Sequence, residues 1–257
     1  MIRAIAFDLW ETLITEDATT ARRQERLRLD RLEQTLTSRG FSAEAHRIED
    51  AYRRLWKRCH ELYWSEDRDV PCRRQIEHFL EGLELDPASF DEAALAELEH
   101  AYAHAALDVL PRVVTGANET LDELKRRDLA IGLISNTGRT PGYVLRQILD
   151  RLGLARSIDV MVFSNEHGEC KPRTSIFEQL RGGLGVPYEE MMFVGDNLYV
   201  DVYGAQRCGM RGVHFVPPER GTAVAPPFEH EMEIQPDATI NHLGELTAVL
   251  ARMSDGR

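Results

Sequence analysis

The chain begins with a short apolar run that ends in a carboxylate. Residues 4–7 are apolar, Asp8 follows them, and a Trp-Glu-Thr step then leads into a polar stretch. An apolar run of this length, bounded by a turn, predicts a buried strand. Reactive groups in an open parallel sheet collect just beyond the carboxyl ends of its strands, so Asp8 is the first candidate functional residue.

The pattern from residue 17 to residue 109 is helical, with no convincing strand in it. Four segments show apolar residues at helical spacing, and each has a plausible helix start or stop. The first ends at Gly40, the second begins after Ser42, the third opens at Pro71 and the fourth at Asp91. Four amphipathic helices in succession predict a small α-helical module.

Strand and helix patterns alternate after Pro111. Strands are predicted at residues 130–135, 160–164, 191–195, 212–216 and 238–240, with helices before and between them. This alternation predicts an α/β fold with a doubly wound parallel sheet and right-handed crossovers. We therefore expect two domains, a core of residues 1–16 and 110–257 and a helical domain of residues 17–109. Residues 217–236, rich in Pro and acidic residues, are predicted to form a long surface loop.

The composition limits the possible partners. A formal net charge of −12 argues against general binding to nucleic acid or to an anionic membrane, which requires a basic face. No apolar run approaches the roughly 20 residues of a membrane span. With no leader pattern before the first strand, we expect a soluble, cytoplasmic protein. An anionic substrate would need a local positive site.

The cysteine pattern agrees with a reducing compartment. The four cysteines are Cys59, Cys72, Cys170 and Cys208. None forms a pair at metal-binding spacing, so we expect free thiols and no disulfide framework.

Three later segments also present residues capable of chemistry. They are Ser135 and Asn136, Lys171 before a proline, and Asp196 with Asp201. Together with the Asp-Leu-x-x-Thr-Leu stretch that begins at Asp8, these segments resemble the four motifs of the haloacid dehalogenase-like (HAD) hydrolases. The resemblance is specific as a set, and it covers the core better than residues 17–109.

The resemblance implies a Rossmann-like core with a helical cap inserted after the first motif. It implies that Asp8 is a nucleophile and that Lys171 supplies a positive charge. Ser135 and the amide of Asn136 would bind the oxygens of the transferring group. The implied substrate is a small anionic molecule.

The resemblance also implies a Mg²⁺ cofactor. Its ligands would be Asp8, the main-chain carbonyl of Trp10 and Asp196, with Asp201 holding a metal-bound water or the lysine. Mg²⁺ prefers hard oxygen ligands, which these groups supply. Nothing in the sequence decides between a monomer and a homodimer.

Trp10 departs from the family pattern. Phosphatases of this family usually have a second Asp at this position, which protonates the leaving group and then activates water. The resemblance therefore favours an Mg²⁺-dependent phosphatase acting through an aspartyl-phosphate on Asp8, and Trp10 leaves two alternatives open. One is a metal-independent 2-haloacid dehalogenase, although retention of Asp196 favours a metal site. The other is a non-catalytic binding protein.

Several neighbouring residues are expected to have structural roles. Thr12 is expected to brace the turn after Asp8, and the side chain of Glu11 to point away from the site. Trp56 and Trp64 are expected to pack between helices. Five arginines of the first predicted helix are expected to form a mostly solvated face, from which one or two reach a substrate anion. They are Arg22, Arg23, Arg26, Arg28 and Arg31.

Overall fold

A parallel sheet forms the centre of the molecule. The computed structural model describes residues 1–217 and 233–255, so most of the predicted loop at residues 217–236 lies outside the described residues. The strands in the described residues are β1 Ala4–Phe7, β2 Ile14–Thr15, β3 Arg112–Val113, β4 Ala130–Ser135, β5 Val160–Phe163, β6 Met191–Gly195, β7 Arg211–Phe215 and β8 Ala238–Ile240. Six of them form one parallel sheet in the order β5-β4-β1-β6-β7-β8. The predicted fold class is confirmed.

Helices cover the sheet and fill the segment between β2 and β3. That segment, called here the helical segment, contains α1 Ala18–Ser38, α2 Ala45–Leu62, α3 Cys72–Gly82, α4 Glu92–Ala103 and α5 Ala105–Asp108. The remaining helices are α6 Ala117–Arg126, α7 Gly142–Arg151, α8 Ser164–His167, α9 Thr174–Leu184, α10 Gly204–Arg207 and α11 Leu246–Asp255. A π-helical turn, Leu198–Tyr203, leads into α10.

Strand β1 is central and is covered on both faces. Its four residues are fully buried, and it pairs with β4 on one side and β6 on the other. Because side chains alternate along a strand, Ala6 belongs to the cluster that contains Phe177 of α9, whereas Phe7 belongs to the larger opposite cluster. This double burial explains why the β1 sequence is apolar without polar alternation.

The helical segment enters and leaves through a small antiparallel ribbon. Ile14 of β2 pairs with Val113 of β3. The sequence did not predict this ribbon, since strands of two residues are too short to show an alternating pattern. It also predicted one fourth helix where the structure has two, because α4 ends at Ala103 and α5 begins at Ala105. The division into two domains stays a prediction.

One buried carboxylate joins the helical segment to the core. The Oδ2 atom of Asp69 accepts hydrogen bonds from Thr137 Oγ1 at 2.8 Å and Ser164 Oγ at 2.5 Å. Its Oδ1 atom accepts from Trp64 Nε1 at 2.8 Å, and its main-chain N–H donates to the carbonyl of Gly168 at 2.9 Å. Asp69 therefore fixes the approach of the helices to the ends of β4 and β5.

The four cysteines are free thiols, as predicted, and three of them are buried. Among the described residues, no helix combines the length and apolar character that crossing a membrane requires.

Candidate active site

Adjacent strand ends place the predicted acidic residues together. Asp8 directly follows β1 and Asp196 directly follows β6, and these two strands are paired. The main-chain N–H of Asp8 donates to the carbonyl of Val194 at 2.9 Å, which continues the ladder past the end of β1. Strand β1 has β4 and β5 on one side and β6, β7 and β8 on the other, so the strand order changes direction at β1. Ligands of open α/β sheets bind at the carboxyl ends of the strands at such a point.

Lys171 lies at the centre of the predicted group. Its side chain is 1% exposed, and its ammonium donates to Asp8 Oδ1 at 2.6 Å, Asp201 Oδ1 at 2.7 Å and the carbonyl of Ile134 at 3.1 Å. An ammonium has three N–H donors, and three acceptors surround this one. Burial alone would lower the pKa of Lys171, but Asp201 and Asp8 outweigh it and raise the pKa. The lysine is therefore held in its charged form.

Asn136 positions Lys171 through the backbone. Its side-chain amide donates to the Lys171 carbonyl at 3.0 Å, and its Oδ1 accepts from the Lys171 main-chain N–H at 2.7 Å. The following peptide bond, Lys171–Pro172, is cis. The Asn136 side chain is thus engaged with the lysine segment, while the residue lines the cavity.

Ser135 and Thr12 occupy different surroundings. Ser135 is fully buried at the end of β4, and its hydroxyl makes a long 3.5 Å contact with the Asn136 carbonyl. Thr12 is also buried, and its hydroxyl donates to Asp8 Oδ2 at 3.3 Å. Thr12 therefore braces the Asp8 carboxylate itself, in addition to the turn.

Three carboxylates form a group with metal-binding geometry. Oxygen atoms of Asp8, Asp196 and Asp201 lie within 4.8 Å of one another. Burial is the main reason that the pKa of Asp8 is raised to about 6; Lys171 acts to lower the pKa, and the neighbouring Asp201 acts to raise it. Closely spaced carboxylates repel each other unless a cation lies between them. The donor set, all hard oxygen, fits a magnesium ion.

Gly195, at the end of β6, allows the side chain of Asp201 to lie against the strand end. A Cβ atom placed on Gly195 would clash with the side chain of Asp201. The second carboxylate oxygen of Asp201 accepts from the main-chain N–H of Asn197 at 3.0 Å. Glycine at position 195 therefore lets the π-helical turn approach the strand end.

Trp10 and Glu11 line the cavity beside Asp8. The Trp10 side chain is partly buried and lines the cavity, and it has no ionisable group. Glu11 has a φ of 59° and is 2% exposed. Its carboxylate accepts from Thr15 Oγ1 at 3.0 Å, and the residue also lines the cavity. The expectation that Glu11 points away from the site was wrong, because the residue is buried and lines the cavity.

A cavity of about 450 Å³ lies between the strand ends and the helical segment. Its size is within the range of small-molecule sites. The helical segment contributes Gln24, Arg28, Tyr52 and Trp56 to the lining, beside Glu16 and the loop residue Arg139. Trp56 is 39% exposed, so it lines the cavity as well as packing against Trp64.

Sequence reasoning missed part of this lining. Arg139 lies four residues after Ser135, so its nearness to a motif was a signal that could have identified it. Arg28 was one of five arginines expected on a solvated face, and it is the buried one, at 5% exposure. No local signal marked Glu16.

Comparisons with known proteins show the family of this chain. The family model described as haloacid dehalogenase-like hydrolase matches residues 2–209. Ribulose-1,5-bisphosphate 5-phosphatase of Halopiger xanaduensis is 32% identical over 68% of this chain and 71% of its own length. Glyceraldehyde 3-phosphate phosphatase of Pyrococcus abyssi is 28% identical over 84% of this chain and 82% of its own.

Solved structures show the same fold. A 2-haloacid dehalogenase from Pseudomonas syringae pv. tomato has a TM-score of 0.68 at 25% identity, covering 98% of this chain and 100% of the other. A HAD phosphatase from Thermococcus onnurineus, at 24% identity, has a TM-score of 0.58 over 97% and 98% of the two chains. The matched family model spans both sides of the helical segment and all four motif regions. The chain therefore belongs to the haloacid dehalogenase-like hydrolases.

Proposed function

We propose that this hydrolase is a Mg²⁺-dependent phosphatase of small phosphorylated metabolites. The observation that carries the proposal is the buried arrangement of Asp8, Lys171 and Asp201 beside Asp196, at the edge of the sheet where ligands bind. The phosphatase relatives, which match 68% and 84% of this chain, support the same substrate class.

The proposed reaction has two steps. An oxygen of the Asp8 carboxylate attacks phosphorus, a phosphorus–oxygen bond forms, and the bond to the leaving group breaks. Water then attacks the phosphorus of the aspartyl-phosphate, which releases inorganic phosphate and restores the carboxylate. Lys171 offsets the repulsion between Asp8 and the anionic substrate, and Ser135 with the Asn136 amide is assigned to the transferring oxygens.

The acidic group is assigned to the cofactor. Asp8, Asp196 and the main-chain carbonyl of Trp10 would hold Mg²⁺, with Asp201 supporting the site through Lys171. The ion supplies positive charge to the phosphoryl oxygens when it is bound.

Residues 17–109 are proposed as a cap that selects the substrate, over a core of residues 1–16 and 110–257. This assignment is supported by the cavity lining, since Arg28, Tyr52 and Trp56 of the helical segment face the strand ends.

Because Trp10 cannot protonate a leaving group, the proposed substrates are those with good leaving groups. No proton donor is available at that position, and acid–base assistance is worth typically 10²–10⁴-fold in rate. The leaving group of an acyl phosphate is a carboxylate and that of an aryl phosphate is a phenolate, and both can depart without being protonated. We therefore expect such compounds to be hydrolysed faster than alkyl phosphates.

The experiment measures phosphate release from acetyl phosphate and an aryl phosphate, with Mg²⁺ and with a chelator. Asp8→Asn, which removes the nucleophile and nearly preserves the shape, is the matched control. Release that depends on Mg²⁺ and is lost in Asp8→Asn supports the proposal. Release that survives in Asp8→Asn contradicts it.

A second candidate is a 2-haloacid dehalogenase that uses the same nucleophile. Trp10 and the structural match to the Pseudomonas dehalogenase favour it. It predicts halide release from a 2-haloacid in the presence of chelator. A protein inactive in both assays, whose cavity still binds a ligand, would instead support the non-catalytic alternative.

A further inference from the structure

Two arginines in the cavity wall form no ion pair with any carboxylate of the described residues. Arg28 belongs to α1 and Arg139 to the loop between β4 and α7. In the part of the chain that the structure describes, neither forms an ion pair, whereas the cap arginine Arg73 pairs with both Glu92 and Glu99. Arg28 is buried and Arg139 is partly buried. Withdrawing a cation from water without a counter-charge is costly, so two such cations in the wall of one cavity point to an anionic ligand.

Arg139 is held by stacking and keeps its hydrogen-bond donors available. Its guanidinium carbon lies 4.4 Å from the ring centroid of Trp56 and 4.9 Å from that of Tyr52. Guanidinium N–H groups point outward in the plane of the group, so stacking on rings leaves its edges available. Among residues 1–217 and 233–255, Arg139 makes no hydrogen bond.

Arg28 is held at one edge only. Its Nε donates to the carbonyl of Tyr102 and its Nη2 to Thr140 Oγ1, both at 3.1 Å. These two bonds fix the plane of the guanidinium. Its Nη1 has no hydrogen-bond partner among the described residues.

The two guanidiniums act on the same part of the cavity. Burial raises the pKa of Glu16, and both Arg28 and Arg139 lie close enough to oppose that rise. Yet Glu16 Oε2 is buried and accepts no hydrogen bond from the described residues, so Glu16 does not saturate either arginine. Lys171, the third cation of the lining, is already saturated by its three acceptors.

We propose that Arg28 and Arg139 bind a second anionic group of the substrate, a carboxylate or a phosphate. This inference rests on the proposed function and names its substrate class: small phosphate esters that also bear a second anion. Guanidinium groups bind both kinds of oxyanion through paired hydrogen bonds.

The test compares substrates that differ only in the second anion. The pairs are 3-phosphoglycerate with glycerol 3-phosphate, and fructose 1,6-bisphosphate with fructose 6-phosphate. We expect kcat/KM to favour the doubly anionic member of at least one pair by about 10- to 100-fold, as for a charge-assisted hydrogen-bonded contact. The pair with the larger preference distinguishes carboxylate from phosphate.

Variants of Arg139 assign the preference to the proposed site. Arg139→Met keeps an apolar side chain over the rings but removes the charge. In this variant the ratio of kcat/KM for the doubly anionic substrate to kcat/KM for its partner should fall close to one. Arg139→Lys should retain part of the ratio. Arg26→Met is the matched control, because Arg26 lies on α1, is exposed and pairs with Asp30. A ratio unchanged in Arg139→Met overturns the proposal.

A binding measurement separates this inference from the phosphatase proposal. Calorimetry on Asp8→Asn, with and without Arg139→Met, measures the affinity for the same four compounds without turnover. If no ester is hydrolysed but the doubly anionic compounds bind more tightly through Arg139, the anion site is supported and the phosphatase proposal fails. If esters are hydrolysed with no Arg139-dependent preference, the phosphatase proposal is supported and the anion site is overturned.

Discussion

Single residues determine the electrostatics of the site. Lys171 neutralises two carboxylates that burial would otherwise destabilise, and its ammonium is itself nearly inaccessible. Three ionisable groups in contact are stable in this setting only because each has its partner.

Lys171→Met should lower both activity and stability. Removing one partner from a buried ion pair costs about 3–5 kcal/mol of unfolding free energy. Urea unfolding of the metal-free protein measures the loss of unfolding free energy, and phosphate release measures the loss of activity. The control is Lys57→Met, because Lys57 is 78% exposed and forms an ion pair with Glu61 at 3.7 Å on the surface of its helix. Equal losses in the two variants would contradict the assignment.

Trp10→Asp should increase hydrolysis of poor leaving groups. The new carboxyl would supply the proton that an alkoxide needs, and we expect a gain of about 10²-fold on an alkyl phosphate. The gain on acetyl phosphate should be much smaller. Trp10→Asn opens the same space without an ionisable group, so a similar gain in that variant would refute the acid–base explanation.

Glu16 should make stability depend on pH. Burial raises its pKa above the usual 4.5, so the folded protein binds this proton more tightly than the unfolded chain does. Stability is therefore lost as pH rises from 4.5 through the raised pKa.

The Glu16→Gln variant lacks this loss of stability. The difference in Tm between Glu16→Gln and the parent protein should therefore increase in favour of the variant from about pH 4 to about pH 7. The exposed Glu44→Gln is the control. A difference that stays constant with pH would rule out the burial effect.

Elements meet at a small number of polar contacts. The segment that joins α2 to α3 packs against the turn after β5, and the N–H of Cys170 donates to the Asp67 carbonyl at 2.8 Å there. Asp69 is the most connected side chain of this junction, and it is 6% exposed. Asp69 therefore contributes several of the hydrogen bonds that place the helices relative to the sheet.

Asp69→Ala should loosen this junction. It leaves the hydroxyls of Thr137 and Ser164 and the indole N–H of Trp64 without their acceptor, at a cost of roughly 2–3 kcal/mol. Denaturant unfolding measures the loss, and Asp50→Ala, at an exposed position of α2, is the control. An unfolding free energy equal to that of Asp50→Ala would show that the junction does not need Asp69.

Mg²⁺, the proposed cofactor, should stabilise the whole molecule. Three mutually repelling carboxylates gain a counter-charge when Mg²⁺ binds, and a ligand that binds only the folded state raises stability by RT ln(1 + [L]/Kd). At a concentration of about 100 times Kd this amounts to about 2.7 kcal/mol. Thermal unfolding with Mg²⁺ and with chelator measures the shift. Asp196→Asn should abolish most of it, and an equal shift in that variant would exclude this site.

Much of the fold could be predicted from the sequence because the sheet is regular. The strand ends at Asp8 and Asp196 were found because an apolar run stops one residue before each. The burial of Arg28 could not be predicted, since helical periodicity places a residue on a face of its helix but does not tell which surface that face meets. Likewise, Glu11 is buried, lines the cavity and has a positive φ. A glutamate in a polar stretch of sequence signals none of these features.

The β2–β3 ribbon has a further consequence. Thr15 pairs with Arg112, so the helical segment leaves and rejoins the core at neighbouring points. An insertion whose ends are adjacent can be exchanged for another of different length without moving the strands on either side. In the terms of molecular evolution, we expect the helices to be an exchangeable accessory: under the proposed function, lineages that keep Asp8, Lys171 and the neighbouring carboxylates would acquire new substrates by replacing this one segment.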